Sequence, residues 1–131
     1  MGFVSGDTFL NDSVPGAPEH LWIVATDPEG DPPSVVIVNV TSLVDDGKRH
    51  IDEACVLNES DHPFVRHDSF MKYKAAALVE VSTLQSLLAK GLIKSPAPVS
   101  AHVLQRVRQG FLDSEFSEKR FQDIVRPYLE D

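Results

Sequence analysis

The stretch "SVVIVNVTS", Ser34 to Ser42, decides the fold class. Val and Ile dominate it, and no strong helix former intervenes. β-Branched side chains lose rotamer freedom in a helix and pack well on a pleated surface, so a strand is predicted. Upstream, "HLWIVATD" (His20 to Asp27) is a short apolar run with aromatic and β-branched residues, which reads as a strand covered on both faces. "PEGDPP" makes the turn between them, and "NDSVPGAPE" is a loop broken by Pro15, Gly16 and Pro18. "GDTFL" gives a short opening strand. Downstream, Asp46-Gly47 marks a hairpin turn and "EACVLN" a shorter strand. The chain alternates from His67, and "AALVEV" (Ala76 to Val81) follows as a separate strand. Five or six strands in series, with no helix between them, lack the crossovers a parallel sheet needs. A bent antiparallel sheet or small barrel is the expected result.

Helices take over after the strands. Ser82 is the expected cap of a helix near residues 82–90 that carries Leu84, Leu87 and Leu88, with Gly91 past its end. "KSPAPVS" reads as a linker. Ser100 caps a second helix with Val103, Leu104 and Val107 inward and Gly110 as its stop. Ser117 caps a third, with Phe121, Ile124 and Val125 inward and Pro127 limiting it. The class is therefore α+β. Residues 1–95 form a β-rich body, and residues 96–131 a helical extension too small for its own core, packed on the body or on a partner.

A length of 131 residues suits one domain. No apolar run approaches the roughly 20 residues of a membrane span, and "MGFVSGDTF" lacks the basic-then-apolar pattern of a secretory leader. The single Cys55 has no internal disulfide partner and reads as a small buried hydrophobe, which fits a reducing cytoplasm. Residues 1–47 hold eight acids and no Lys or Arg, so all of the net charge of −8 sits there. That third is a poor general surface for phosphates and could instead meet a basic protein.

The chemistry concentrates in "DHPFVRHDSFMKY", Asp61 to Tyr73. His62 and His67 can move protons near neutral pH, Arg66 can hold a phosphate bidentately, and Ser69 and Tyr73 can donate hydrogen bonds. A strand's period of two puts His67, Ser69, Met71 and Tyr73 on one face, with Phe70 on the other. The structural alternative is that His67, Ser69 and Tyr73 form the wet face of a strand with Phe70 buried, Tyr73 sending its hydroxyl to a backbone carbonyl. His62 and His67 are five apart, which points them in different directions, so no metal and no cofactor are expected. His50 and His102 are expected in solvent and Trp22 in the core. Arg106, Arg108, Lys119, Arg120 and Arg126 interleave with Asp113, Glu115, Glu118 and Asp123 and read as solvated faces.

The order "GD", a loop, "HLWIVATDP" and then "VVIVNVTS" resembles the MazF/PemK/Kid group of toxin ribonucleases over residues 6–42. The resemblance implies a small antiparallel SH3-like β-barrel followed by C-terminal helices. It implies metal-independent cleavage of single-stranded RNA, a small antitoxin partner, a homodimer and a cytoplasmic, non-membrane setting. Thr41 matches the family's strand Thr. His20 stands where the family has its catalytic Arg, and Leu21 where a Pro follows it. An Arg offers permanent charge to a developing phosphorane, whereas a His offers acid–base exchange. The expected catalytic set is His20, Thr41, His62 and His67, with Arg66, Ser69 and Tyr73 on the substrate. The alternative is a non-catalytic barrel that binds a protein or nucleic acid through the 61–73 face.

Overall fold

The computed structural model describes residues 3–11, 20–42 and 51–129. The Asp46-Gly47 turn, His50 and the loop from Asp12 to Glu19 lie outside them. Five strands form one antiparallel sheet: β1 (Thr8–Asn11), β2 (His20–Val24), β3 (Ser34–Ser42), β4 (Val56–Leu57) and β5 (Ser69–Glu80), in the order β1-β2-β3-β5-β4. The sheet curls into a half-barrel. Three helices follow: α1 (Val81–Ala89), α2 (Ala101–Asp113) and α3 (Lys119–Val125), the last running into a 3₁₀ turn at Arg126–Tyr128.

The β3 segment occupies the bounds expected of it and is buried from Val35 to Thr41. Its side chains split between two cores, as a strand covered on both faces requires. Val36, Val38 and Val40 join Leu21, Ile23, Met71, Tyr73, Val107 and Phe111 on the concave side. Val35 and Ile37 join Phe3, Phe9, Val24, Val81, Leu84 and Ile93 on the convex side. Helices α2 and α3 fill the concavity, and α1 covers part of the other face. The helical extension thus packs on the body.

The two strands expected at His67 and Ala76 are one, β5. A bulge joins its halves: Ile37 pairs Ala77, but Asn39 pairs Lys72, so Tyr73 to Ala76 stand opposite Val38 alone. Extra residues sharpen a strand's bend and twist, and this bend curls the sheet. The wet-face alternative holds for the buried Phe70 and for a Tyr73 hydroxyl on a backbone carbonyl, but the face is not wet: Ser69, Met71 and Tyr73 are buried, with Met71 and Tyr73 in the concave core. Tyr73 is fully buried, donates from its hydroxyl to the Val107 carbonyl (2.7 Å) and meets Phe111 edge-on at 4.7 Å. Burial, with the neighbouring Cys55, pushes its hydroxyl pKa well up. Cys55 is buried too, and its thiol is pushed up by desolvation against the pull of Arg106.

Tyr73 explains Gly110. The glycine lies inside α2, which continues to Asp113, because a Cβ there would fall onto the Tyr73 ring and hydroxyl. The expected stop is a contact site. Ser100 does cap α2, accepting the Val103 N–H at 3.1 Å. Ser82 and Ser117 are not caps: Glu80 and Glu118 hold those positions, with no side-chain capping bond. α1 closes where expected, with Gly91 at φ 72° and the Gly91 and Leu92 amides bonded to the Leu88 and Leu87 carbonyls. The expected linker runs as an edge cover along β1. Leu10 bonds Lys94, Val99 donates to Gly6, and Ser95 Oγ donates to the Thr8 carbonyl.

Two of the five C-terminal cations are clamps rather than solvated charges. Arg106 pairs with Asp61 (3.0 Å) and donates to the Val56 carbonyl (2.6 Å). Arg108 donates to the Ala25 carbonyl (2.9 Å) and lies over the Tyr128 ring, its pKa lowered by burial. Tyr128 in turn donates to Glu29 and accepts the Asp27 N–H, which fastens the 3₁₀ turn to the β2–β3 hairpin.

Gly110→Ala should lower stability by about 2 kcal/mol in urea unfolding, the range for overpacking a core, with the near-ultraviolet Tyr signal changed. Burial first, then the Glu29 contact, push Tyr128 up to about 12. A phenol raised in the folded state stabilises it fully below the unfolded value near 10 and loses that contribution as pH climbs towards 12. Tyr128→Phe should therefore show a shallower fall in melting temperature across that alkaline window than the wild type.

Candidate functional site

The register of three strands assembles a polar and aromatic patch on the convex face. Leu21 pairs Val40 and Trp22 pairs Asn39, so His20 stands opposite Thr41. Across β3, Asn39 pairs Lys72 and Thr41 pairs Phe70. Leu21, Val40 and Met71 point into the concave core. Their strand neighbours His20, Trp22, Asn39, Thr41, Phe70 and Lys72 therefore point the other way. Two adjacent rows result: His20, Thr41 and Phe70, then Trp22, Asn39 and Lys72.

Within the patch, Thr41 and Asn39 are buried, and the Thr41 hydroxyl donates to Asn39 Oδ1 at 3.3 Å. Trp22 is half-buried and stacks on Phe9, the rings 2° from parallel with centroids 6.1 Å apart. Trp22 is thus a platform with one side free of Phe9 rather than a wholly enclosed core residue. Lys72 is exposed. His20 is half-buried, its Nδ1 lying 3.4 Å from the Val40 carbonyl. When Nδ1 carries the proton and donates there, Nε2 holds the lone pair and can accept a proton.

The other expected site residues separate into two groups. Arg66 and His67 are exposed and line a shallow cleft of about 430 Å³ with Asn58, Glu59, Ser60 and Asp68. That cleft lies just ahead of β5, beyond the Ser42–Ser69 pair, at the same end of the sheet as His20 and Thr41. His62, Ser69 and Tyr73 are buried and bonded to backbone. Ser69 Oγ donates to the His67 carbonyl (3.0 Å), and the Tyr73 hydroxyl goes to Val107 as above. His102 is exposed in the first turn of α2.

His62 closes the half-barrel. Its Nδ1 accepts the Phe64 N–H at 3.0 Å and its Nε2 donates to the Ala97 carbonyl at 2.6 Å. The Thr8 hydroxyl donates to the same carbonyl at 2.9 Å. The loop after β4 is thereby tied to the segment that covers β1, so the two ends of the curled sheet meet through one imidazole. With both ring nitrogens committed, His62 has no free nitrogen for substrate. Among the described residues, no group of three His, Cys, Asp or Glu side chains is placed to hold a metal ion, and no helix is long and apolar enough to cross a membrane.

Sequence reading did not single out Lys72, Asn39 or the open side of Trp22. Their signal is the strand register, which places residues 22, 39 and 72 in one row; spacing along the chain carries no trace of it. No family model, curated protein or solved structure matches this chain.

The latch can be tested through its shared acceptor. His62→Ala should cost about 2 kcal/mol and Thr8→Val about 1 kcal/mol. The double variant should lose more than the sum, by roughly 1 kcal/mol, because only then is the Ala97 carbonyl stripped of both side-chain donors. Urea unfolding of the four proteins measures this.

Proposed function

We propose that this chain is a toxin-like, metal-independent endoribonuclease on an SH3-like half-barrel, engaging single-stranded RNA across the convex face. One observation carries the reading: the β2–β3 register that sets His20 against Thr41, beside Trp22 and Lys72. A half-buried Trp offers a stacking surface to any base, and an exposed Lys offers charge to a phosphate. His20 Nε2 accepts the ribose 2′-hydroxyl proton. The 2′-oxygen attacks the adjacent phosphorus, the bond to the 5′-oxygen breaks, and that oxygen takes a proton from water at the open face. Thr41 acts on Asn39, holding its carbonyl so that the amide NH₂ is turned to the ligand. Arg66 and His67 extend the track at the same end of the sheet. A small antitoxin protein would act by covering this face.

A second reading, RNA binding without cleavage, has its own support. The Thr41 hydroxyl is buried on Asn39, His20 replaces the Arg of the resembled family, and the His62 nitrogens are taken up by backbone. Among the described residues, that leaves His20 as the sole imidazole in the patch.

Mixed-sequence single-stranded RNA incubated with the protein in chelator separates the two. Cleavage leaving 2′,3′-cyclic phosphate ends, lowered ~100-fold or more in His20→Ala, supports the enzyme. Intact RNA retained by the protein supports the binder. Lys72→Ala should weaken RNA binding in either case and reduce the salt slope by about 0.7, the contribution of one phosphate contact on a single strand. RNA neither cut nor bound removes both readings.

A further inference from the structure

We propose that the convex patch holds a guanine-selective slot, in which Thr41 sets the base preference by deciding which groups Asn39 can offer. The inference rests on the reading that single-stranded RNA crosses this face, and it adds the identity of one base.

A row of side chains running across four strands shapes the slot. Phe9 pairs Trp22, Trp22 pairs Asn39 and Asn39 pairs Lys72. The Phe9 ring lies parallel to the Trp22 ring from the β1 side. The other face of the indole is therefore turned towards β3, above Asn39. Neighbouring strands lie ~4.8 Å apart, so two such spacings separate the Trp22 and Lys72 backbones. That gap takes one flat base standing on edge. Its plane lies against the indole, its lower edge meets Asn39, and the Lys72 ammonium reaches it from the far side.

The floor of the slot is a donor that cannot accept. Asn39 is only 8% exposed. Its Oδ1 accepts from the Thr41 hydroxyl. Its Nδ2 bonds to no described residue and is not sealed from the surface. Thr41 thus fixes the amide with its carbonyl occupied and its NH₂ open to the patch.

That arrangement chooses among the bases. An Asn with both halves of its amide free suits adenine, accepting from N6 and donating to N7. Here Thr41 takes the accepting half. What remains is the Asn39 NH₂ with the Lys72 ammonium beside it, donors only. Guanine offers two adjacent acceptors, O6 and N7, on one edge. Adenine would turn its own N6 donor to the same place. Cytosine has adjacent acceptors at O2 and N3 but only one ring to lay on the indole, and uracil sets an N–H between its two carbonyls.

Trp22 is the sole tryptophan of the chain, so its fluorescence reports stacking directly. Titrations at one salt concentration would use the single-stranded trinucleotides UGU, UAU, UCU and UUU. UGU should bind about tenfold tighter than UAU, with UCU between them. Thr41→Val keeps the shape of the side chain and returns the Asn39 carbonyl to the ligand. The preference for UGU over UAU should then disappear or invert, with UUU affinity unchanged. A purely structural Thr41 would weaken all four ligands alike. Asn39→Ala should still quench but no longer discriminate. Circular dichroism melts check that both variants are folded, and Thr41→Val decides should Asn39→Ala not fold. Equal affinity for all four, or tighter binding of UAU or UCU than of UGU, overturns the guanine slot and leaves the RNA reading standing. A UGU preference that survives Thr41→Val overturns the role given to Thr41. Silence with all four overturns the slot; mixed-sequence RNA retained all the same confines the failure to the slot, and RNA not retained removes the RNA reading with it.

Discussion

The fully buried Tyr73 must satisfy its hydroxyl without water, and it does so on the Val107 carbonyl. An unpaired buried hydroxyl costs on the order of 1–3 kcal/mol, so this bond is expensive to leave unmade. It fixes the depth at which α2 sits in the concavity and the helical turn that faces the sheet. Only a residue without a Cβ fits at Gly110, one turn on from Val107. Once α2 is seated, its other residues reach fixed targets. Arg106 grips Asp61 and Val56 on one flank, and Arg108 grips Ala25 and Tyr128 on the other. One phenol at the edge of a strand bulge therefore fixes the seat of the helix, and with it the two clamps that hold its flanks.

The same arrangement uses up the concave face. Every inward position on β5 from Ser69 to Ala76 goes into the core, and the opening is closed by His62 on Ala97. An imidazole there strengthens a backbone contact at 2.6 Å and is lost to chemistry. Of the expected site residues that are described, those left accessible lie at the convex end of β2, β3 and β5 and in the cleft beside it. Division of labour between the two faces follows from covering a strongly curled sheet on its inside with helices.

Much of the fold was legible because β-branched runs and turn residues mark strands locally. The bounds of β3, the two-sided burial of β2, the Ser100 cap and the Gly91 terminus all rest on such signals. Three features were not legible, for one reason: each depends on a partner far along the chain. Gly110 looks like a stop until Tyr73 is placed against it. The polar alternation from His67 to Tyr73 looks wet until α2 is laid over that face and takes the Tyr73 hydroxyl on its Val107 carbonyl. His62 looks like half of a catalytic pair until Ala97 lies beneath it. The neighbouring positions of His20 and Thr41 follow from strand register alone.

Charge along the sheet bears on what the open patch can recognise. The acidic first third of the chain argues against a nucleic-acid surface if its charge is spread evenly. Among the described residues it is not. Asp27 and Glu29 sit at the β2–β3 hairpin, the end of the sheet away from His20 and Thr41, and both are occupied. Asp27 accepts from the Ser5 amide and hydroxyl, and Glu29 from Tyr128. Charges separated by the length of a strand are beyond a Debye length of about 8 Å at physiological salt and screen one another. Among the described residues, positive charge near the patch is limited to Lys72 with Arg66 at the rim, and Glu59 and Asp68 share the cleft with Arg66. Those two cations by themselves would not hold a ligand chiefly by charge. Under the proposed RNA reading, stacking on Trp22 and hydrogen bonds from Asn39 and His20 would carry the larger share of recognition, which favours unpaired bases over the regular backbone of a duplex.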